Sequence, residues 1–253
     1  MNTVYLDSPV SDDTRRQMLY EGQLFVYSPT RASNELCRFA RSLIEDAFSG
    51  SDPRTAQREL EVERYAAILG ELASIESVSY VRVASRTPVT LPQRITDSLC
   101  RALRTHPSVW LMTHFNHPKE LTNEARAACA KLVDHGVVVM NQTVLLRGVN
   151  DDARTLETLF RGLVRSRVRP YYLLQTDPVV GTSHLRTPLA TGIGIMQALQ
   201  GRLSGIALPK LIVDTPHGKG KVPVGPDYIV GREGAVTTLR TFRGELVDYI
   251  DPE

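Results

Sequence analysis

Five small groups of residues in this 253-residue chain have types and spacings that can do chemistry. The densest is Asp214-Thr-Pro-His-Gly-Lys-Gly-Lys-Val-Pro-Val224, which follows the apolar run Leu211-Ile212-Val213. Glycine lets a backbone approach a ligand closely. A lysine on such a loop is a phosphate contact, a nucleophilic amine if its pKa is lowered, or a solvated charge. Lys219 and Lys221 are the two candidates. Asp177 and Asp214 each end an apolar stretch. Facing one cavity, they would form a doubly anionic end suited to an ammonium group; otherwise they are caps or surface turns. Asn141-Gln142 interrupts an apolar run, and a polar pair in mid-strand is costly unless satisfied. It serves either a pocket or a neighbouring backbone. His114 and His117 form an HxxH pair that could ligate a metal or line a pocket by hydrogen bonding. No third ligand completes a zinc pattern, so no metal site is expected. Ser85-Arg86-Thr87-Pro88 is the fifth group.

The elements that would position these groups alternate. Strands are expected at 78–83, 109–112, 137–146, 171–174 and 211–213. Helices are expected at 92–103, from Thr122 to Gly136, from a cap at Asn150 or Asp151 through Leu163, and at 191–203. Such alternation implies parallel βα units, in a barrel or a doubly wound sheet. Four units are counted, half of a full barrel. In either fold the functional groups sit at the carboxyl ends of the strands, where all five clusters fall. Before this region lie a short strand at 24–27 and helices near 36–47 and 59–72. After it come short strands at 228–230, 236–239 and 246–250 with turns between. The fold expected is α/β: a partial, incomplete βα barrel with an N-terminal helical segment and a small C-terminal antiparallel meander. The divisions expected are 1–71, 72–208 and 209–253.

Apolar content of 42%, charged content of 23% and a net charge of +2 are those of an ordinary globular protein. No basic block supports a nucleic-acid face. No stretch approaches the ~20 apolar residues of a membrane span. With no leader evident, a cytoplasmic location is expected. Cys37, Cys100 and Cys129 form no CxxC pair and read as core residues.

From about Ala73 to Pro252 the chain resembles the lysine 2,3-aminomutase family. The motifs that carry the resemblance are Arg86-Thr-Pro-Val-Thr-Leu-Pro-Gln-Arg-Ile-Thr96, Trp110-Leu-Met-Thr-His-Phe-Asn-His-Pro118, Asn141-Gln-Thr-Val-Leu-Leu-Arg-Gly-Val-Asn-Asp151, Arg169-Pro-Tyr-Tyr172, His184-Leu-Arg-Thr-Pro188 and Gly218-Lys-Gly-Lys-Val-Pro223. The resemblance implies an isomerase of lysine metabolism that uses pyridoxal phosphate, S-adenosylmethionine and a 4Fe-4S cluster. The cofactors would carry the radical chemistry that moves an amino group from C2 to C3 of lysine. It also implies that Lys221 bears pyridoxal phosphate, that Asp177 and Asp214 hold the amino groups of the small-molecule substrate, an amino acid, and that Gln142 lies near S-adenosylmethionine.

The family's CxxxCxxC cluster motif does not occur in this sequence, nor does its Gly-Gly-Asp-Pro turn. Widely spaced cysteines do not assemble a cluster. The isolated chain is therefore expected to be inactive as a mutase. A second reading is a non-catalytic fusion or truncation product that binds pyridoxal phosphate or a partner. A third is a metal-dependent hydrolase using His114 and His117. An unfinished barrel also leaves an edge that could serve a homo-oligomer.

Overall fold

The computed structural model describes residues 24–27, 55–179, 181–215 and 219–252, with side chains from residue 62 onward. The helix expected near 36–47 lies outside the described residues, as do Cys37 and residues 216–218 of the glycine-lysine stretch. The chain divides into two compact units.

In the first unit β1 (Leu24–Tyr27) pairs antiparallel with β2 (Tyr80–Ala84), and β2 pairs in parallel with β3 (Val109–Thr113). Between β1 and β2 runs α1 (Thr55–Ala73), which buries Leu69 and Leu72. The expected helix at 92–103 is in fact broken. A short α2 (Thr87–Thr90) and a 3-10 turn at Pro92–Arg94 precede α3 (Asp97–Leu103). Thr96 causes the break: its backbone is extended and its hydroxyl accepts from the Leu99 N–H, so it caps a new helix. Thr122 caps α4 (Asn123–Asp134) in the same way, at 3.2 Å from Ala125 N. Gly136, at φ 79°, ends that segment in the left-handed region.

Strand β4 (Val138–Leu145) begins in the first unit and ends in the second. There follow α5 (Ala153–Arg165), β5 (Arg169–Gln175), α6 (Leu189–Leu199) and β6 (Lys210–Asp214). Leu156, Leu159, Phe160 and Leu163 of α5 are all fully buried. The cap of α5 is Asp152, which accepts from Thr155 N at 2.9 Å, not Asn150 or Asp151. Asn150 instead turns inward, as described below. Helix α6 is shorter than expected, and its Gly192 is a packing residue. A Cβ there would sit 3.0 Å from Leu211 and 3.3 Å from Leu145.

The Lys221–Val224 segment is not open loop. It forms β7, antiparallel to β6, with Asp214 opposite Lys221. The last strands, β8 (Ile229–Glu233), β9 (Val236–Arg240) and β10 (Leu246–Ile250), make the expected antiparallel meander.

The larger sheet is hydrogen-bonded in sequence order from β1 to β7. A doubly wound sheet reverses its strand order at a switch point. This one does not, so the architecture is the partial βα barrel.

Candidate functional site

The site grows from the ends of β4, β5 and β6 in the second unit. Leu145 and Leu211 both press toward Gly192 of α6, which defines the helix-covered face of the sheet. Side chains alternate along a strand. Gln142 on β4 and Asp214 on β6 are each three residues from those leucines, so both lie on the opposite face. Lys221 is the register partner of Asp214 and shares that face. Ile212, two residues before Asp214, is buried.

Lys221 donates from Nζ to Asp214 Oδ2. Both side chains are partly exposed, at 44% and 37%. The turn that presents the lysine is closed by Thr215, whose N–H and hydroxyl both donate to Gly220 O at 3.0 and 2.7 Å. Gly220 itself sits at φ 105°, a conformation that only glycine adopts easily. Lys219 is exposed.

Asp177 follows β5 and falls within the field of the same pair. Desolvation pushes its carboxyl above the usual range, and the Asp214 charge pushes it further. Lys221 and Arg186 pull the other way. The two carboxylates and Lys221 expected to act together are therefore electrostatically coupled. Arg186 is an addition: its motif, His184 to Pro188, is recognisable in the sequence, but nothing there links it to Asp177. The segment is anchored on both sides. Thr176 donates to the Leu145 carbonyl before Asp177, and Gln175 Nε2 donates to Thr187 O at 2.6 Å after Arg186.

The adjacent amides of β4 divide their roles. Asn141 is fully buried and turned to backbone. Its Oδ1 accepts from Phe115 N at 2.6 Å, and its Nδ2 donates to Phe115 O at 3.0 Å and Thr143 Oγ1 at 2.8 Å. Gln142 is half-buried, and its side-chain amide makes no hydrogen bond among the described residues. A second fastening was not anticipated. Asn150, also fully buried, donates to the carbonyls of Asn116 and Val144 and accepts from Leu146 N. These two asparagines fix the carboxyl end of β4.

The histidines do not gather a ligand set. His114 belongs to the first unit and His117 to the second. Burial, and then the Arg86 charge, lower the His114 pKa to about 4, so its ring is neutral. His117 Nδ1 accepts from Lys119 N at 3.1 Å and caps a 3-10 turn reciprocally with Glu120. Among the described residues no three His, Cys, Asp or Glu side chains are grouped to hold a metal. Cys100 and Cys129 are buried, and burial pushes their thiols up to about 11 and 12. Neither thiol belongs to a group of three ligating side chains among the described residues, so the two do not fit an iron-sulfur cluster. No helix among the described residues is long and apolar enough to cross a membrane.

Lys221 and Asp214 thus pair at the ends of adjacent strands of the partial βα barrel, with Asp177 two residues past β5. A lysine-2,3-aminomutase family profile matches residues 196–253. The L-lysine 2,3-aminomutase of Fusobacterium nucleatum is 47% identical over 191 residues, 76% of this chain and 45% of that protein. The glutamate 2,3-aminomutase of Clostridioides difficile is 44% identical over 184 residues, 73% of this chain and 44% of that protein. A solved radical SAM methyltransferase from Sphaerobacter thermophilus aligns at 24% identity and a TM-score of 0.41, over 53% of this chain and 40% of that one. Across the residues that its curated relatives match, this chain belongs to the lysine 2,3-aminomutase family. It spans about half the length of those relatives.

Proposed function

We propose that this chain carries the substrate-holding and cofactor-lysine part of an aminomutase-like site. Lys221 is the amine that joins the aldehyde of pyridoxal phosphate, and Asp177 and Asp214 hold the amino groups of the substrate. The observation that carries the reading is the pairing of Asp214 with Lys221 on one sheet face, with Asp177 inside their field. The residues fit the group: a primary amine on a turn, partly open to solvent, with a carboxylate beside it to take and return its proton. When bound, pyridoxal phosphate supplies an electron sink for the substrate's amino-bearing carbon. The chain's own work is to hold cations, orient them and keep the amine ready.

Two adjacent carboxylates favour a basic side chain over an acidic one. We therefore read the substrate as lysine-like, although one relative is named for glutamate. Gln142 is read as a contact to S-adenosylmethionine, supported by its place on the same face and its uncommitted amide. Radical generation is assigned to no residue of this chain. The CxxxCxxC spacing is absent from it, and Cys100 and Cys129 are buried thiols. The isolated chain is read as inactive alone, and cleavage of S-adenosylmethionine after anaerobic iron reconstitution would refute that.

The test of the main reading is chemical. The chain is incubated with pyridoxal phosphate, reduced with borohydride and mapped by mass spectrometry. The label is expected on Lys221 and absent in Lys221→Arg. Reduction that labels other lysines but leaves Lys221 bare would overturn the assignment. A homo-oligomer is proposed on the exposed apolar residues of the meander, such as Leu246 and Ile250 at 61% and 74% exposure. A monomeric mass by light scattering would exclude it.

A further inference from the structure

We propose that Lys221 is the resting occupant of the cation site, so that Asp214 becomes open to a ligand ammonium only when the lysine is engaged elsewhere. The inference rests on the reading of Lys221 and Asp214 given above and adds an order of binding to it. Nζ of Lys221 donates to Oδ2 of Asp214. The site then holds two carboxylates and one ammonium, with Arg186 adding positive field at Asp177. An incoming ammonium meets a carboxylate that is already neutralised, and repulsion from Nζ beside it. Joining an aldehyde changes this. A C=N bond forms between Nζ and the aldehyde carbon, the carbonyl oxygen leaves as water with two protons from the ammonium, and the third proton leaves to solvent, so Nζ is left neutral and without an N–H. Asp214 then loses its donor and, with Asp177, presents an anionic pair to a ligand cation. Binding of the cofactor to the lysine and of a cation to the carboxylates would thus be coupled, and such coupling is reciprocal.

The test needs neither cofactor nor turnover. The purified chain is titrated with 1,5-diaminopentane and followed by calorimetry. Lys221→Met is expected to bind the diamine about fivefold more tightly than wild type, the factor corresponding to the ~1 kcal/mol of an exposed ion pair. Lys221→Arg keeps the resting cation and is expected to bind no more tightly than wild type. Adding Asp214→Asn to Lys221→Met is expected to abolish the gain. Raising the salt should shrink the gain, because the competing pair is partly exposed. If Lys221→Met binds no more tightly while Asp214→Asn weakens binding in both backgrounds, the order of binding is overturned and the cation site stands. If Asp214→Asn changes nothing in any background, the reading of Asp214 fails and the order fails with it. Both side chains are partly exposed, so the substitutions leave no buried void; matching far-ultraviolet spectra would check the fold.

Discussion

Asn141 and Gln142 are neighbours with nearly the same chemistry, and substitution should separate them sharply. Asn141→Ala removes the acceptor of the Phe115 N–H and one donor to the Phe115 carbonyl, all with no solvent access. The carbonyl keeps Thr143 Oγ1 as a donor at 3.0 Å, so the principal orphan is the N–H. A buried unsatisfied group costs about 1–3 kcal/mol, and the small void adds to it. A total of about 3 kcal/mol is expected. In a chain of this size each kcal/mol lowers Tm by roughly 2–4 °C, so the fall should be about 6–12 °C. Asn141→Asp should be no better. Its carboxylate still accepts from Phe115 N, but the other oxygen then faces the Phe115 carbonyl. Gln142→Ala is expected to stay within about 0.5 kcal/mol, because that amide bonds to nothing among the described residues. Differential scanning calorimetry of the three variants decides the matter. An Asn141→Ala melt within about 2 °C of wild type would refute the reasoning.

Gly192→Ala should destabilise the chain. The new methyl overpacks Leu211 and Leu145, at about 1–3 kcal/mol, against a helix-propensity gain of about 1 kcal/mol, so a thermal melt should fall by a few degrees. His114 gives the acid limb of a stability profile. Its folded value of about 4 lies below the unfolded value of 6.5, so protons favour the unfolded chain between the two. Stability should fall as pH drops through that window, and His114→Gln should flatten the fall in urea titrations; an unchanged slope would count against the desolvated ring. Asp177 has the opposite sign. Its folded pKa is raised, so its ionisation opposes folding, and stability is lost as pH rises through the unfolded value near 3.9 toward the folded one. Asp177→Asn should therefore raise Tm at pH 7 and have no such effect below about pH 3.5. Gly220→Ala, at φ 105°, should strain the turn into β7 and lower the yield of borohydride-trapped Lys221.

The order of the barrel strands was legible because each buried strand and helix has its own apolar period, as in α5 with Leu156, Leu159, Phe160 and Leu163. What escaped were features set by contacts distant in sequence or by single hydroxyls. The break before α3 turns on Thr96, and the cap of α5 on Asp152 rather than two equally good neighbours. Strand β7 was hidden because Lys221-Val-Pro-Val224 is short and contains a proline. Prolines are tolerated on edge strands, and β7 ends the hydrogen-bonded order of the larger sheet. That last miss matters most for the site. As open loop, the lysine at 221 would be tied to Asp214 only by a spacing of seven. As a strand, it is the register partner of Asp214, and the alternation of side chains places both on the face away from α6. The hairpin between β6 and β7 thus makes the lysine and the carboxylate a single device. A one-residue slip in its register would turn Lys221 to the other face and uncouple the pair, while leaving every residue of the motif in the sequence.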